Sequence, residues 1–503
     1  MGKHRCQGTM TVFFSILTIL FLSLACSMAE SVRIQGARVK AAAVLDMGIF
    51  SVFGEYERDL LEDYDVFGVD AALEGGFSMG NLEKRLDGYM KYNTKTEKLS
   101  IVTGNSLFPM NHEGSQIDQY LLLTDDNGRV FRDQAVQNWK SAFGTEILAE
   151  YLETTEQAGK LQEAGEQYEE QEANAEAQLE QAEAAEAAEN ASEEENPEEI
   201  VIVEPERPEN PLDVIERIKN SGILGLVMQN PENVSQKTIE TSSLPSHRTL
   251  EKGTMTWERS ESGILEEGIF QEYLMEHFSC ATDGEEEGAL DYELEYLLAG
   301  KGSDQENLKT VVHKLLFLRE GVNFLYVFSN TEMRRSAETL AAAISGGAPG
   351  ITAALGAALL AAWAYGESLL DVRILLAGGK VPVVKNAQSF RLTLENLGKL
   401  PEVLEACNEA EGEGLDYRGY LQMLFLTGKK GSYPMRALDL MESSLKKQPG
   451  MEGFRVDHCV TGMQAEVHWE LGTIFSWVPK AFLGEGLENI YYETTGRFIY
   501  ECP

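Results

Sequence analysis

The chain has 503 residues, 43% of them hydrophobic and 25% charged, and a net charge of −40. That length buries a sizeable core without disulfide staples and leaves room for two or three domains, while the charge repels phosphate backbones, so nucleic acid is not an expected partner. The six cysteines (Cys6, Cys26, Cys280, Cys407, Cys459, Cys502) form no CxxC, which removes zinc-knuckle and thioredoxin-type readings; the last four could pair, but no disulfide framework is required.

Residues 1–8 form a short tail carrying Lys3, His4 and Arg5, and residues 9–29 (TMTVFFSILTILFLSLACSMA) carry no charge. As a helix these 21 residues reach about 30 Å, the hydrocarbon thickness of a bilayer. We expect a retained membrane anchor with the tail inside. The other fates are cleavage after Ala29 by a signal peptidase, lipidation at Cys26, and a prepilin-type cut after Gly8. Lys3 and Arg5 face Arg33, Arg38 and Lys40 across the segment, so positive charge does not set the orientation.

From Glu30 to Tyr64 the helix is expected to continue, with Ala37, Ala41, Val44, Leu45, Gly48, Val52 and Phe53 on one face and Glu30 pairing with Arg33 one turn on. The segment around DVFGVD reads as a strand, Asn81 to Met90 as a helix, the stretch around Ile101 as a strand, Thr124 to Gly128 as a turn, and FRDQAVQNWK as a helix. Residues 30–145 thus form a juxtamembrane helix and a small α+β region. Residues 146–210 hold 22 Glu against two basic residues, about half the net charge. With Leu161 and Leu179 as the visible apolar positions, this stretch reads as a solvated, partly helical linker.

Residues 211–503 read as a larger α+β domain. Asn210 and Pro211 cap its first helix, and Leu308, Val311, Val312 and Leu315 stripe another. Tyr417 to Leu426 and Met435 to Leu445 fit helices, and MQAEVHWEL, NIYYE and GRFIYE alternate as strands. Ala348 to Tyr365 is uncharged but rich in Ala and Gly; we expect a core helix, with a second membrane span as the alternative.

Several strings, among them YERDLLEDYDVFGVD from Tyr56, LLLTDDNGRVFRDQA from Leu121, NPLDVIERIKNSGILGLV from Asn210 and SLPSHR from Ser243, resemble an uncharacterised family. YELEYLLAGKGSDQENLKTVVHKLLFLRE from Tyr292 and AAWAYGESLLDVRILLAGGKVPVVK from Ala361 continue the match in the same order. The family is known as a domain of unknown function encoded beside Tad (Flp) pilus genes in Gram-positive anaerobes. The tail, Gly8 and the hydrophobic helix also look like those of TadE-type pseudopilins, although Phe13 stands where their glutamate falls. The resemblance implies a setting and not a reaction.

Chemical motifs are weak. Gly76 to Gly80 satisfies GxSxG around Ser78, but AALEGG before it is no core strand, and a glycine turn is the simpler reading. Asp457, His458, Cys459 and His468 could assemble a metal site, yet a surface pair is commoner; SGGAPG near Gly346 lacks the Lys-Ser/Thr of a phosphate loop, and the sequon at Asn233 is at chance level. Glu293, Glu295, Asp304 and Glu306 could take a cation, or simply form a solvated loop. Glu367 and Asp371 lie one turn apart, and Arg373 is expected to neutralise a carboxylate from another element.

The sequence therefore predicts an α+β protein on one N-terminal anchor in the cell membrane, with the bulk of the chain extracytoplasmic and a mainly helical domain ending in β-strands. It is expected to act by contact with pilus or envelope proteins, with no catalytic, cofactor or metal residues and no small-molecule substrate assigned. The rival classes are an exported enzyme and a secreted or lipid-linked binding module.

Overall fold

The computed structural model describes residues 5–73, 76–94, 108, 110–140, 145–193, 210–257, 263–284, 288–407, 413–475, 480–481 and 489–500. It is α+β, with a long apolar N-terminal helix, a mainly helical body and C-terminal strands, as the sequence predicts. The chain divides into two compact units that are not sequential. Unit 1 gathers Met1–Asn138, Thr249–Glu261 and Gly453–Pro503, and unit 2 gathers Trp139–Arg248 and Ser262–Glu452. The split at residues 145 and 211 expected from composition thus gives way to long-range strand pairing, which local patterns do not encode.

In unit 1, α1 (Arg5–Phe53) is one unbroken helix of 49 residues. It ends at Gly54, and α2 (Arg58–Tyr64) is a separate turn of helix, so the helix expected to reach Tyr64 is broken. Then come β1 (Val69–Asp70), the small hairpin β2 (Ala72–Leu73) and β3 (Gly76–Phe77), α3 (Met79–Thr94), β4 (Met110–Leu122) and α4 (Asp125–Lys140). The turn at 124–128 is present, with left-handed backbone at Asp126, Asn127 and Gly128. The strand expected around Ile101 lies outside the described residues.

The sheet of unit 1 is completed from the far end of the chain by β5 (Cys459–Gly472) and β6 (Asn489–Ile499). Strand β5 is central: β4 pairs along one edge, from Met110↔Leu471 to Leu122↔Val460, and β1 and β6 pair along the other, all antiparallel. Its period of two sends Ala465, Val467, Trp469 and Leu471 inward and Glu466, His468 and Glu470 outward. The inward row meets the apolar face of α1 (Ala37, Ala41, Val44, Leu45, Ile49, Val52 and Phe53) in one core. Helix α3 reaches α1 at Gly48, where a β-carbon would collide with Met90 and Leu86.

The rear of α1 is tied down where it leaves the apolar segment. Glu30 and Arg33 pair as expected, and both are buried, at 4% and 3% exposure. The Glu30 carboxylate accepts from Arg33 at 2.5 Å and from the backbone N–H groups of Phe475 and Ile474 at 2.8 and 3.3 Å; Arg33 also donates to the carbonyl of Gly472 at 2.5 Å. Burial pushes the Glu30 carboxyl up, but these donors outweigh it and hold the group below its ordinary value.

Unit 2 opens with α5 (Thr145–Glu193), followed by α6 (Pro211–Lys219) and α7 (Ile223–Val227). Asn210 caps α6 by accepting from Leu212 N–H, as its Asn-Pro signal predicts. Next come α8 (Ile264–His277), α9 (Glu293–Ala299), α10 (Asp304–Ser329), α11 (Thr331–Ile344) and α12 (Pro349–Leu376). The unit closes with α13 (Leu400–Ala406), α14 (Tyr417–Thr427) and α15 (Tyr433–Leu445), the last two where expected.

Helices α5, α10 and α12 pack together at its centre, around Tyr168, Phe324, Ala361 and Ala364. The first part of α5 is therefore not a solvated linker. Tyr151, Ala158, Leu161, Ala164, Tyr168 and Ala175 are buried, a seam made mostly of Ala and Tyr that charge counting hides. Gly165 and Gly321 let α5 and α10 touch, because a β-carbon at Gly321 would fall on the backbone of Ala164 and Gly165. Helix α12 is the expected core helix, with 83% of its most apolar stretch buried.

Candidate functional site

Two places in unit 2 concentrate buried charge beside a cleft. The first joins α10 and α12 to the segment 380–392. Extending the Leu308/Val312/Leu315 stripe of α10 by one and two turns lands on Arg319 and Asn323, both fully buried. Arg319 donates through Nε and Nη2 to one oxygen, Oδ2 of Asp371, at 3.0 and 2.9 Å. Its Nη1 reaches the Tyr420 hydroxyl at 2.9 Å and the Pro382 carbonyl at 3.1 Å. Asn323 adds a donor to the same Asp371 oxygen at 3.0 Å. Lys385 spends its three protons on Glu367 at 2.6 Å, Asp371 at 2.7 Å and the Ser389 carbonyl at 2.9 Å.

Two carboxylates thus face two cations with no solvent between them. Burial raises both acids. In Asp371 the charges of Arg319 and Lys385 outweigh it, so the group sits below its usual value; Glu367, held by Lys385 and pressed by Asp371, stays raised. A cleft of about 210 Å³ opens above the network, lined by Lys380, Asn386, Gln388, Arg391 and Glu413. Each Lys385 proton is already bonded, so this is a staple for the 380–392 segment rather than an acid–base pair. Arg373, expected as the neutralising partner, turns elsewhere and donates to the carbonyls of Leu226 and Met228, both at 2.9 Å, at the C-terminal end of α7. Two residues on from Asp371, it lies on another face of α12.

The second place is a cleft of about 1080 Å³ between the segment 228–237 and residues around 281–292. The acids read from sequence as cation ligands or a solvated loop are here buried organisers of its walls. Asp304 accepts from the Ser235 hydroxyl at 2.5 Å and from the N–H groups of Asp291 and Tyr292. Glu293 holds Ser279, and Glu295 accepts from Ala281 N–H at 2.9 Å and from the Tyr417 hydroxyl at 2.7 Å. Asp291 meets Lys237 at 2.7 Å. Full burial raises Glu295 to about 7, and its second oxygen has no hydrogen-bond partner. Glu306, the fourth residue of that set, is exposed on the first turn of α10. Amide side chains line the cleft at Gln229, Asn230, Asn233 and Gln236; the sequon asparagine is among them.

The SLPSHR string has a structural explanation in the same unit. Ser246 donates to Asp439 through its N–H and hydroxyl, and Arg248 binds both oxygens of Glu442 at 2.5 and 2.7 Å. The second tyrosine of YELEYLL, Tyr296, donates to the same Asp439 at 2.8 Å.

The remaining motifs separate. Ser78 lies between the two-residue strand β3 and α3, and its hydroxyl bonds no histidine among the described residues. Gly346 and Gly347 adopt positive φ in the turn between α11 and α12. Asp457 is paired with Arg455, His458 stacks near Phe77, and Cys459 is a buried thiol at the start of β5. His468 lies nine residues further along that strand, on its outer face. Cys280 is a buried free thiol as well, and burial pushes it up to about 12, which makes it unreactive.

The folded chain is thus an α+β protein with a potential membrane-spanning helix and a helical body organised by buried ion pairs. Its residues 202–471 match the model of a family of unknown function (DUF5702), and the chain belongs to that family. The match takes in most of unit 2 and most of β5, including both clefts. No curated protein and no solved structure matches the chain.

Proposed function

We propose that this protein is a membrane-anchored, extracytoplasmic component of a Tad-like pilus or cell-envelope system, acting through protein contacts. The observation that carries this reading is the division of α1. Its front half is apolar and exposed, with Phe13, Phe14, Phe21 and Met28 each more than half accessible, and is long enough to cross a bilayer. Its rear half is buried on the sheet of unit 1 and locked by Glu30 and Arg33, so anchor and head are one rigid element. The pilus part of the reading rests on the resemblance of the strings and of the pseudopilin-like start.

The contact surface differs from the one periodicity suggests. Val44, Leu45, Val52 and Phe53 are used up by the protein's own sheet. Val32, Val39, Met47 and Phe50, on the opposite side of α1, are each at least half exposed and are the residues available to neighbours.

The test is a deletion strain complemented with variants and scored for surface filaments. Loss of residues 9–29 should release the protein from the membrane and abolish complementation. Val39→Asp combined with Phe50→Asp should leave a folded, anchored protein that fails to complement, while Ser78→Ala should complement fully. Normal filaments in the deletion strain would remove the assembly role.

A further inference from the structure

On the outer face of the unit 1 sheet, His468 of β5 stands directly across from Glu493 of β6, and Glu466 precedes it by two residues on the same face. The Nδ1 of His468 is 3.3 Å from Glu493, and its Nε2 is 3.8 Å from Glu466. One ligand atom from each residue can be chosen so that all three lie within 4.8 Å of one another. Among the described residues, His468 is the one ionic or hydrogen-bonding partner of either carboxylate.

Three further features make this more than a surface pair. Charge does not balance within the trio: one imidazole, neutral or protonated, faces two carboxylates. A divalent cation would bring two carboxylates and a neutral imidazole to zero net charge. On the other side of His468 the register places Gly114 of β4, and a β-carbon built there meets nothing within 4 Å, so the imidazole is open to approach. The next acid along that strand, Glu470, is by contrast already held by Asn111, Asn489 and Tyr491.

We infer that Glu466, His468 and Glu493 form a binding site for a borderline divalent cation of the Zn²⁺ class, with a coordination position left open towards solvent. Imidazole nitrogen and carboxylate oxygen are both Zn²⁺ donors, and ligand atoms sit about 3.3 Å apart in tetrahedral geometry. Rotation of the half-buried Glu466 and the exposed Glu493 side chains closes the present spacing. Calcium and magnesium are poor fits, because they require more oxygen ligands and do not favour imidazole. The bound ion pins β6, from the end of the chain, to the central strand, and its open position can take water or a side chain from a partner. The site belongs to unit 1 and does not depend on the pilus reading.

Titration of the full-length protein in detergent with Zn²⁺, and with Co²⁺ as a spectroscopic probe, tests this. Saturable binding of one ion per chain, with the visible absorption of tetrahedral Co²⁺, is expected. His468→Ala should abolish it, Glu493→Gln and Glu466→Gln should each weaken it at least about tenfold, and His313→Ala, at an exposed histidine of α10, should change nothing. All four positions are partly or well exposed, and circular dichroism checks that the variants fold. Unchanged binding in His468→Ala, equal loss in His313→Ala, or equal competition by Ca²⁺ would each overturn the assignment.

Discussion

The guanidinium of Arg319 and the carboxylate of Asp371 meet at 2.9 Å with neither side chain more than 2% exposed. Removing one member of such a pair strands the other charge in the core, which costs far more than the pair contributes. Arg319→Met should therefore destabilise unit 2 by about 3–5 kcal/mol, read as a large fall in the denaturant midpoint. A loss under about 1 kcal/mol would mean that water reaches Asp371 and that the cleft beneath Lys380 is wetter than its geometry indicates.

Glu295 makes the stability of the same unit depend on pH. Burial lifts its folded-state value to about 7, above the ordinary 4.5 of the unfolded chain. Between those values the folded protein holds a proton that the unfolded chain releases, so this residue's contribution is full below pH 4.5 and is lost as pH rises through about 7. The difference is at most about 3 kcal/mol. Glu295→Gln keeps the neutral shape and removes the titration. Thermal melts at pH 5 and pH 8 should show the variant close to wild type at pH 5 and more stable at pH 8; equal pH slopes would refute this.

The close approach of α5 to α10 gives a third test. A side chain at Gly321 points into the backbone of Ala164 and Gly165, which cannot swing away as a flexible side chain could. Gly321→Ala should cost about 1–3 kcal/mol, the usual range for overpacking. It should also raise the hydrogen-exchange rate of amides between Tyr151 and Tyr168. Fast exchange there in the wild type would show that α5 is detached after all.

The features legible in sequence were those carried by local period. The alternation in MQAEVHWEL marked β5, the Asn-Pro signal placed the start of α6, and the Leu308 stripe identified α10 and, read two turns further, would have found Arg319 and Asn323. What stayed hidden depended on distance along the chain. Lys385 and Glu367 are brought together by a loop, and β5 joins β4 across more than 300 residues. The seam of α5 is hidden because it is made mostly of Ala and widely spaced Tyr, set among many Glu, and shows no Leu or Val stripe. Asp457 precedes β5 and His468 lies well along that strand, so the two do not meet, whereas the neighbour that matters to His468, Glu493, is set by register.

The two apolar helices make opposite predictions about solubility, and one truncation tests both. Helix α12 is buried within unit 2, whereas the front of α1 is exposed over most of its length. A chain starting at Glu30 keeps the Glu30–Arg33 lock and the whole apolar face of α1 from Ala37 onward. It should remain folded and soluble without detergent, with the circular dichroism of a mainly helical protein. The full-length chain should partition into vesicles, because the 21 uncharged residues from Thr9 to Ala29 gain a hydrocarbon environment there. Should the truncated chain also enter vesicles, α12 would have to leave its packing against α5 and α10, exposing Glu367 and Asp371 to lipid. That cost argues against α12 as a membrane span.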